Sequence, residues 1–176
     1  MKLIKKPLLR IPLLLTALGI LERIITFIVS FIWVQIQRSQ GPNPITGAYE
    51  ISSGYVTEIM TVIGFVLFWA AGWKFVRGLT RKQIFFSATI MSIWYALLLG
   101  LEQWTMATSN YDLYFSLVYR LWVTLEGMSW ASQLLVRIFG DVTLPVMMPA
   151  VLTPYLYLLF GKHRTHQEEA APTETV

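Results

Sequence analysis

The chain contains no cysteine. Disulfides, thiolate metal sites, iron–sulfur clusters and cysteine nucleophiles are therefore excluded, although the compartment is not revealed. Its only histidines, His163 and His166, fall in a polar C-terminal tail, so no buried histidine can ligate haem or chlorophyll, and neither a cofactor nor a metal site is expected. Charge is scarce as well. Only 14% of 176 residues are charged against 55% hydrophobic, where a soluble domain usually carries about 25% charge. No Gly-x-Ser-x-Gly, His-Glu-x-x-His or phosphate-binding Gly-rich loop occurs. The one Glu-Glu pair, Glu168–Glu169, lies in the tail, and no internal repeat is present. No catalytic residue is assigned and no family signature is identified.

What the chain does have is long apolar runs. Five blocks cover 11–36, 59–76, 84–106, 113–139 and 142–160, and about 20 apolar residues suffice to cross a bilayer. The expectation is an all-α integral membrane protein, a bundle of four to five transmembrane helices with five favoured. Its organisation is a basic tail over 1–10, a transmembrane domain over 11–160 and a disordered polar tail over 161–176. The first block reads as an uncleaved span, because its apolar run continues past Glu22 and Arg23 without a small-x-small cleavage site. The net charge of +4 is not a nucleic-acid footprint, since no basic face lies outside the membrane boundary.

Loop charge gives the orientation. Lys2, Lys5, Lys6 and Arg10 precede the first block, and Lys74, Arg77, Arg81 and Lys82 join the second to the third. The intervening loop carries Arg38 and Gly41-Pro42-Asn43-Pro44, and the loop 107–112 has no basic residue. Under the positive-inside rule the N-terminus is cytoplasmic, and a bacterial cytoplasmic membrane is the expected location.

Block 113–139 holds Arg120, Glu126 and Arg137, yet 18 of its 27 residues are apolar or aromatic. Ser109, Asn110 and Asp112 can cap its start, Gly140 can end it and Asp141 can cap the next. If it spans, the C-terminus is outside. If it lies at the interface there are four crossings, a picture that Lys162 and Arg164 favour. A re-entrant segment is the third arrangement. In the last block Pro145, Pro149 and Pro154 each remove a backbone donor, so that helix should be kinked.

The candidate ligand- or ion-binding residues are Glu22, Arg23, Glu102, Arg120 and Glu126. A charge at the centre of a membrane helix costs roughly 2.5–3.5 kcal/mol, so it persists only with a partner, a cavity or a role. In the first block Thr16, Gly19, Glu22, Arg23, Thr26 and Ser30 share about one third of the helix circumference. Glu126, Ser129, Gln133 and Arg137 form a similar stripe in the fourth. If the fourth block spans, depths along the helices match Glu102 with Arg120 to within about 5 Å, and Arg23 with Glu126 near mid-membrane. Glu22 is left over, and would take a proton or bind a cation. Two ion pairs could equally serve only to join helices.

The leading expectation is a non-enzymatic component that binds or transports a solute, or supports a membrane complex. An intramembrane enzyme using Glu22 or Glu126 as general acid on a lipid-like substrate is the alternative. An assembly subunit whose charges meet a partner helix is the third. The expected partners are the lipid bilayer and another membrane protein or a second copy, with no nucleic acid.

Overall fold

The computed structural model describes residues 7–43, 45–49, 52, 54–140 and 143–162. Lys2, Lys5, Lys6, Asp141, Arg164 and the tail with its two histidines lie outside the described residues. Among the described residues the protein is helical without strands, and three helices are long and apolar enough to cross a membrane. These are α1 (Arg10–Ser39), α2 (Gly54–Ala71), which continues as a wider π-helical turn over Gly72–Val76, and α3 (Arg81–Ala107).

Each start has a physical reason. Thr80 caps α3 through its hydroxyl, which accepts from the Gln83 amide, while the Gln83 side chain accepts from the Thr80 amide. At α1 the free Ile11 amide is satisfied across the bundle by Ser87 Oγ at 3.2 Å, and that hydroxyl donates to the Leu8 carbonyl at 2.7 Å. The N-terminal end of α1 is thus bound to the N-terminal end of α3. The chain's last described residues arrive at the same place, where the Lys162 amide donates to the Leu79 carbonyl at 3.1 Å. This end of the bundle holds Arg10, Lys74, Arg77, Arg81, Lys82 and Lys162 with no acidic side chain among the described residues. We call it the basic end.

At the opposite end, Trp33 Nε1 donates to the Ser52 carbonyl at 2.7 Å and its ring lies 5.3 Å from that of Tyr55. These contacts tie the end of α1 to the start of α2.

Residues 113–139 do not form the single continuous helix that their apolar length suggests. A first arm runs from Tyr111 to Trp122 and includes a π-helical turn, Tyr114–Val118. The chain then unwinds through tight turns and a 3-10 turn, Glu126–Met128, before α4 (Ser129–Phe139). Thr124 has a part in the break. Its hydroxyl donates back to the Leu121 carbonyl at 2.7 Å and accepts from Trp94 Nε1 at 2.9 Å, which competes with helical bonding.

The two arms are antiparallel. The first leaves α3 at the end opposite the basic one, and α4 returns there, since Arg137 lies 3.4 Å from Glu58 at the start of α2. Arg137 is therefore not at the basic end, where a fourth crossing would have carried it. Each arm has about a dozen residues and is ~17 Å long, roughly half the ~30 Å thickness of a hydrocarbon core. The hairpin tip is buried in the bundle: Leu125 and Met128 are inaccessible, and Gly127 packs on Leu15, Leu18 and Gly19 of α1. The last described helices are α5 (Leu144–Met147) and a 3-10 helix, Met148–Phe160, beside α3, where the Ser92 hydroxyl donates to the Val151 carbonyl at 2.8 Å.

The tip depends on two glycines. A Cβ at Gly127 would come within 2.9 Å of the Leu15 carbonyl and Leu18 Cβ, and one at Gly19 would run into the Val123 carbonyl. Gly127→Leu should therefore force the hairpin off α1 and cost at least ~1–3 kcal/mol through overpacking. Gly100→Leu, with open space around Gly100, should be near neutral. Thermal unfolding of both variants in detergent checks this, and equal midpoints would contradict the tight approach.

Candidate functional site

The polar stripes of α1 and α4 face each other across a cleft whose third wall is α2. It encloses about 210 Å³ and is lined by Glu22, Thr26, Val56, Thr57, Met60, Glu126, Ser129 and Gln133. Six of these eight side chains are polar, in a protein whose other surfaces are largely apolar. Val56 and Thr57 begin α2, so the cleft lies toward the end opposite the basic one. Gly127, Leu125 and Met128 of the hairpin tip lie beyond it toward the basic end.

The structure brings Arg23 and Glu126 together as an ion pair, with Arg23 Nη1 donating to Glu126 Oε1. The guanidinium also sits 4.7 Å from the centre of the Tyr119 ring, a cation–π contact from the other arm. One arginine of α1 thereby holds both arms of the hairpin. A planar fork over an aromatic face with a carboxylate at its edge uses what arginine has and lysine lacks.

Glu102 and Arg120 do not meet. Glu102 is half-buried with the Tyr114 hydroxyl as its polar neighbour, while Arg120 is exposed on the first arm with no acidic partner among the described residues. Depth matching fails here because the first arm breaks at Val123 instead of continuing as a straight helix. Depth alone fixed neither the rotation of that arm nor its neighbours. Neither residue lines the cleft.

Glu22 is 3% exposed. Its Oε1 has no hydrogen-bond partner. The Ser129 hydroxyl is its polar neighbour, and Glu126 is a like charge beside it. The space it occupies exists because α2 carries glycine opposite: a Cβ at Gly64 would come within 2.9 Å of Glu22 Oε1. Because Arg23 compensates Glu126, the cleft retains one uncompensated carboxyl group. Tyr157 Oη and Trp130 Nε1 are also buried without partners, but neither residue lines the cleft.

Thr57, Thr61 and Gly64 were not singled out together by sequence patterning. The Thr61 hydroxyl bonds Gln133 Oε1, linking α2 to α4. Their i, i+4, i+7 spacing on one face of α2 was the available signal, obscured because Thr57 precedes the apolar block. No group of three or more His, Asp or Glu side chains that could hold a metal ion occurs among the described residues.

These contacts predict an energetic asymmetry between the two charge pairs. A double-mutant cycle with Arg23→Gln and Glu126→Gln should show coupling of ~1 kcal/mol or more, as for groups in direct contact. The same cycle with Glu102→Gln and Arg120→Gln should show none. Unfolding in detergent provides the measurement, and coupling of similar size in both cycles would contradict the arrangement.

Comparison of the chain with protein-family models, with characterised proteins and with solved structures finds no match, so function has to be argued from the cleft itself.

Proposed function

We propose that this is a small multi-pass membrane protein that binds or passes a polar solute through the cleft at Glu22, without catalysing a reaction. The observation that carries this reading is a carboxyl group buried at membrane depth, with an unpartnered oxygen, in the wall of a polar cleft. Such a group is costly in hydrocarbon unless it has a use. Against the enzyme reading, Glu126 is engaged by Arg23, so Glu22 has no second free acid beside it in the cleft lining.

The topology that fits this reading has four crossings, by α1, α2, α3 and the segment Leu144–Phe160, with residues 111–139 as a re-entrant hairpin. It replaces the five-crossing arrangement favoured by block length alone. The last segment has only four α-helical and thirteen 3-10 residues. At ~1.5 and ~2.0 Å per residue it nevertheless reaches ~32 Å, enough to traverse the core. Pro149 and Pro154, which cannot donate backbone hydrogen bonds, favour this stretched winding. The bend read from the sequence is part of this proposal.

The concentration of Lys and Arg at the basic end supports a cytoplasmic placement for that end, and hence for both termini. The cleft then faces the other side of the membrane, floored by the hairpin tip. The absence of cysteine makes the topology directly testable. Single cysteines at Thr46, Asp112 and Phe139 should all react with a membrane-impermeant maleimide added to intact cells, and one at Gly78 only after permeabilisation. A reporter fused after Val176 should be cytoplasmic. Protection of the Phe139 cysteine, with an external reporter, would restore the five-crossing arrangement.

The function is tested by offering pools of labelled small polar solutes to cells that express the protein. Accumulation above control should fall at least tenfold in Glu22→Gln, with the variant still inserted. Undiminished accumulation in that variant would remove Glu22 from the mechanism.

A further inference from the structure

We infer that the ligand of the cleft is a small organic ammonium ion, its nitrogen held by Glu22 and its alkyl part lying against Val56 and Met60. The inference rests on the proposed reading of this cleft as a binding site and adds the chemistry of its occupant. Charge is the first argument. The ionisable side chains facing the cleft are Glu22 and Glu126, and Arg23 compensates the second, so Glu22, once ionised, has no cation beside it among the described residues and a ligand can supply one. Glu58 stands at the mouth and is paired with Arg137. A monocation on the ionised carboxylate leaves the cleft neutral, whereas a dication or an anion leaves a net charge at membrane depth, where the low dielectric makes it costly.

Hydrogen-bond chemistry is the second argument. An ammonium group offers N–H donors and no acceptor. The cleft offers the Glu22 carboxyl and the hydroxyl oxygens of Thr26 and Ser129 as acceptors. Glu22 is more than nine-tenths buried, so its carboxyl has little access to bulk water. Gln133 Oε1 is already engaged by Thr61, which confines the acceptors to the Glu22 side.

Size and wall chemistry are the third. The cleft holds about 210 Å³, several times the ~30 Å³ share of one water and far more than a bare alkali ion fills. Val56 and Met60, both nearly inaccessible, form an apolar wall on the α2 side that an inorganic ion would not use. A molecule with one charged nitrogen and a short alkyl chain satisfies both surfaces. The absence of a carboxylate cluster among the described residues argues against a divalent metal.

The test uses the purified full-length protein in detergent and calorimetric titration with propylammonium, its neutral counterpart 1-propanol, and sodium, potassium and calcium chlorides. Propylammonium should bind at one saturable site, with 1-propanol at least thirtyfold weaker and the inorganic cations unable to displace it. Glu22→Gln should weaken propylammonium at least thirtyfold, and Glu22→Asp should retain part of the affinity. Should Glu22→Gln fail to fold, Thr26→Val and Ser129→Ala should each weaken binding about threefold to tenfold. Met60→Ala should shift preference toward hexylammonium.

Displacement by sodium or potassium at comparable concentration would overturn the organic ligand while leaving the cleft a binding site. Equal binding of 1-propanol would likewise overturn the ammonium assignment alone. If no probe binds to folded protein and solute accumulation in cells is also indifferent to Glu22→Gln, both the ligand and the proposed function fall.

Discussion

In hydrocarbon every backbone N–H and C=O needs a partner, and water is not there to supply one. In the proposed four-crossing topology that constraint governs how residues 123–128 can leave helical geometry. They do so only because protein surrounds them. Short-range bonds satisfy part of the break, with the Leu125 amide on the Trp122 carbonyl at 2.8 Å and the Met128 amide on the Leu125 carbonyl at 2.9 Å. Close packing on α1 supplies the enclosure, through Gly19 and Gly127, with no side chain in between. Without that approach the turn would face lipid with its polar backbone exposed. The hairpin, and the cleft above it, therefore depend on two residues that contribute no side chain.

The charges follow from the same geometry. Arg23 sits one turn from Gly19 on α1, so it meets the chain where the hairpin reverses, and there it finds Glu126 on one side and Tyr119 on the other. A buried pair of this kind is weak evidence of stability, because desolvation offsets much of the attraction. Its clearer consequence is registry. It allows only one placement of the two arms against α1, and the Thr61–Gln133 and Arg137–Glu58 contacts continue that register along α2.

Much of this was legible in the sequence, and the illegible parts have a common cause. Apolar length located α1, α2 and α3 to within a few residues, since length and hydropathy are what a membrane reads. Helical periodicity found the Glu22–Thr26 and Ser129–Gln133 stripes, and depth matched Arg23 with Glu126. Depth misled at Glu102 and Arg120 because it assumes continuous helices. The break itself left a faint trace in Thr124 and Gly127, two poor helix formers three residues apart. Each alone is common in membrane helices, and only contact with Gly19 gives the pair its meaning. The 3-10 winding of Met148–Phe160 was announced by its prolines, but proline spacing alone does not distinguish a stretched turn from a bend.

Glu22 connects packing with chemistry. Its carboxyl fits because Gly64 leaves room opposite, and the hairpin tip closes the bundle beneath it. No arginine stands beside it because Arg23, its neighbour in sequence, points about 100° away on the helix and is held by Glu126. A side chain at Gly64 would crowd the carboxyl, and loss of Glu126 would release Arg23 toward it. Nothing in the packing of α1 requires a carboxyl at this position, since Leu15 and Leu18 on the same helix are buried as ordinary hydrophobic contacts. The residues around Glu22 leave one of its acceptors unengaged, and the proposed ligand reading rests on that feature.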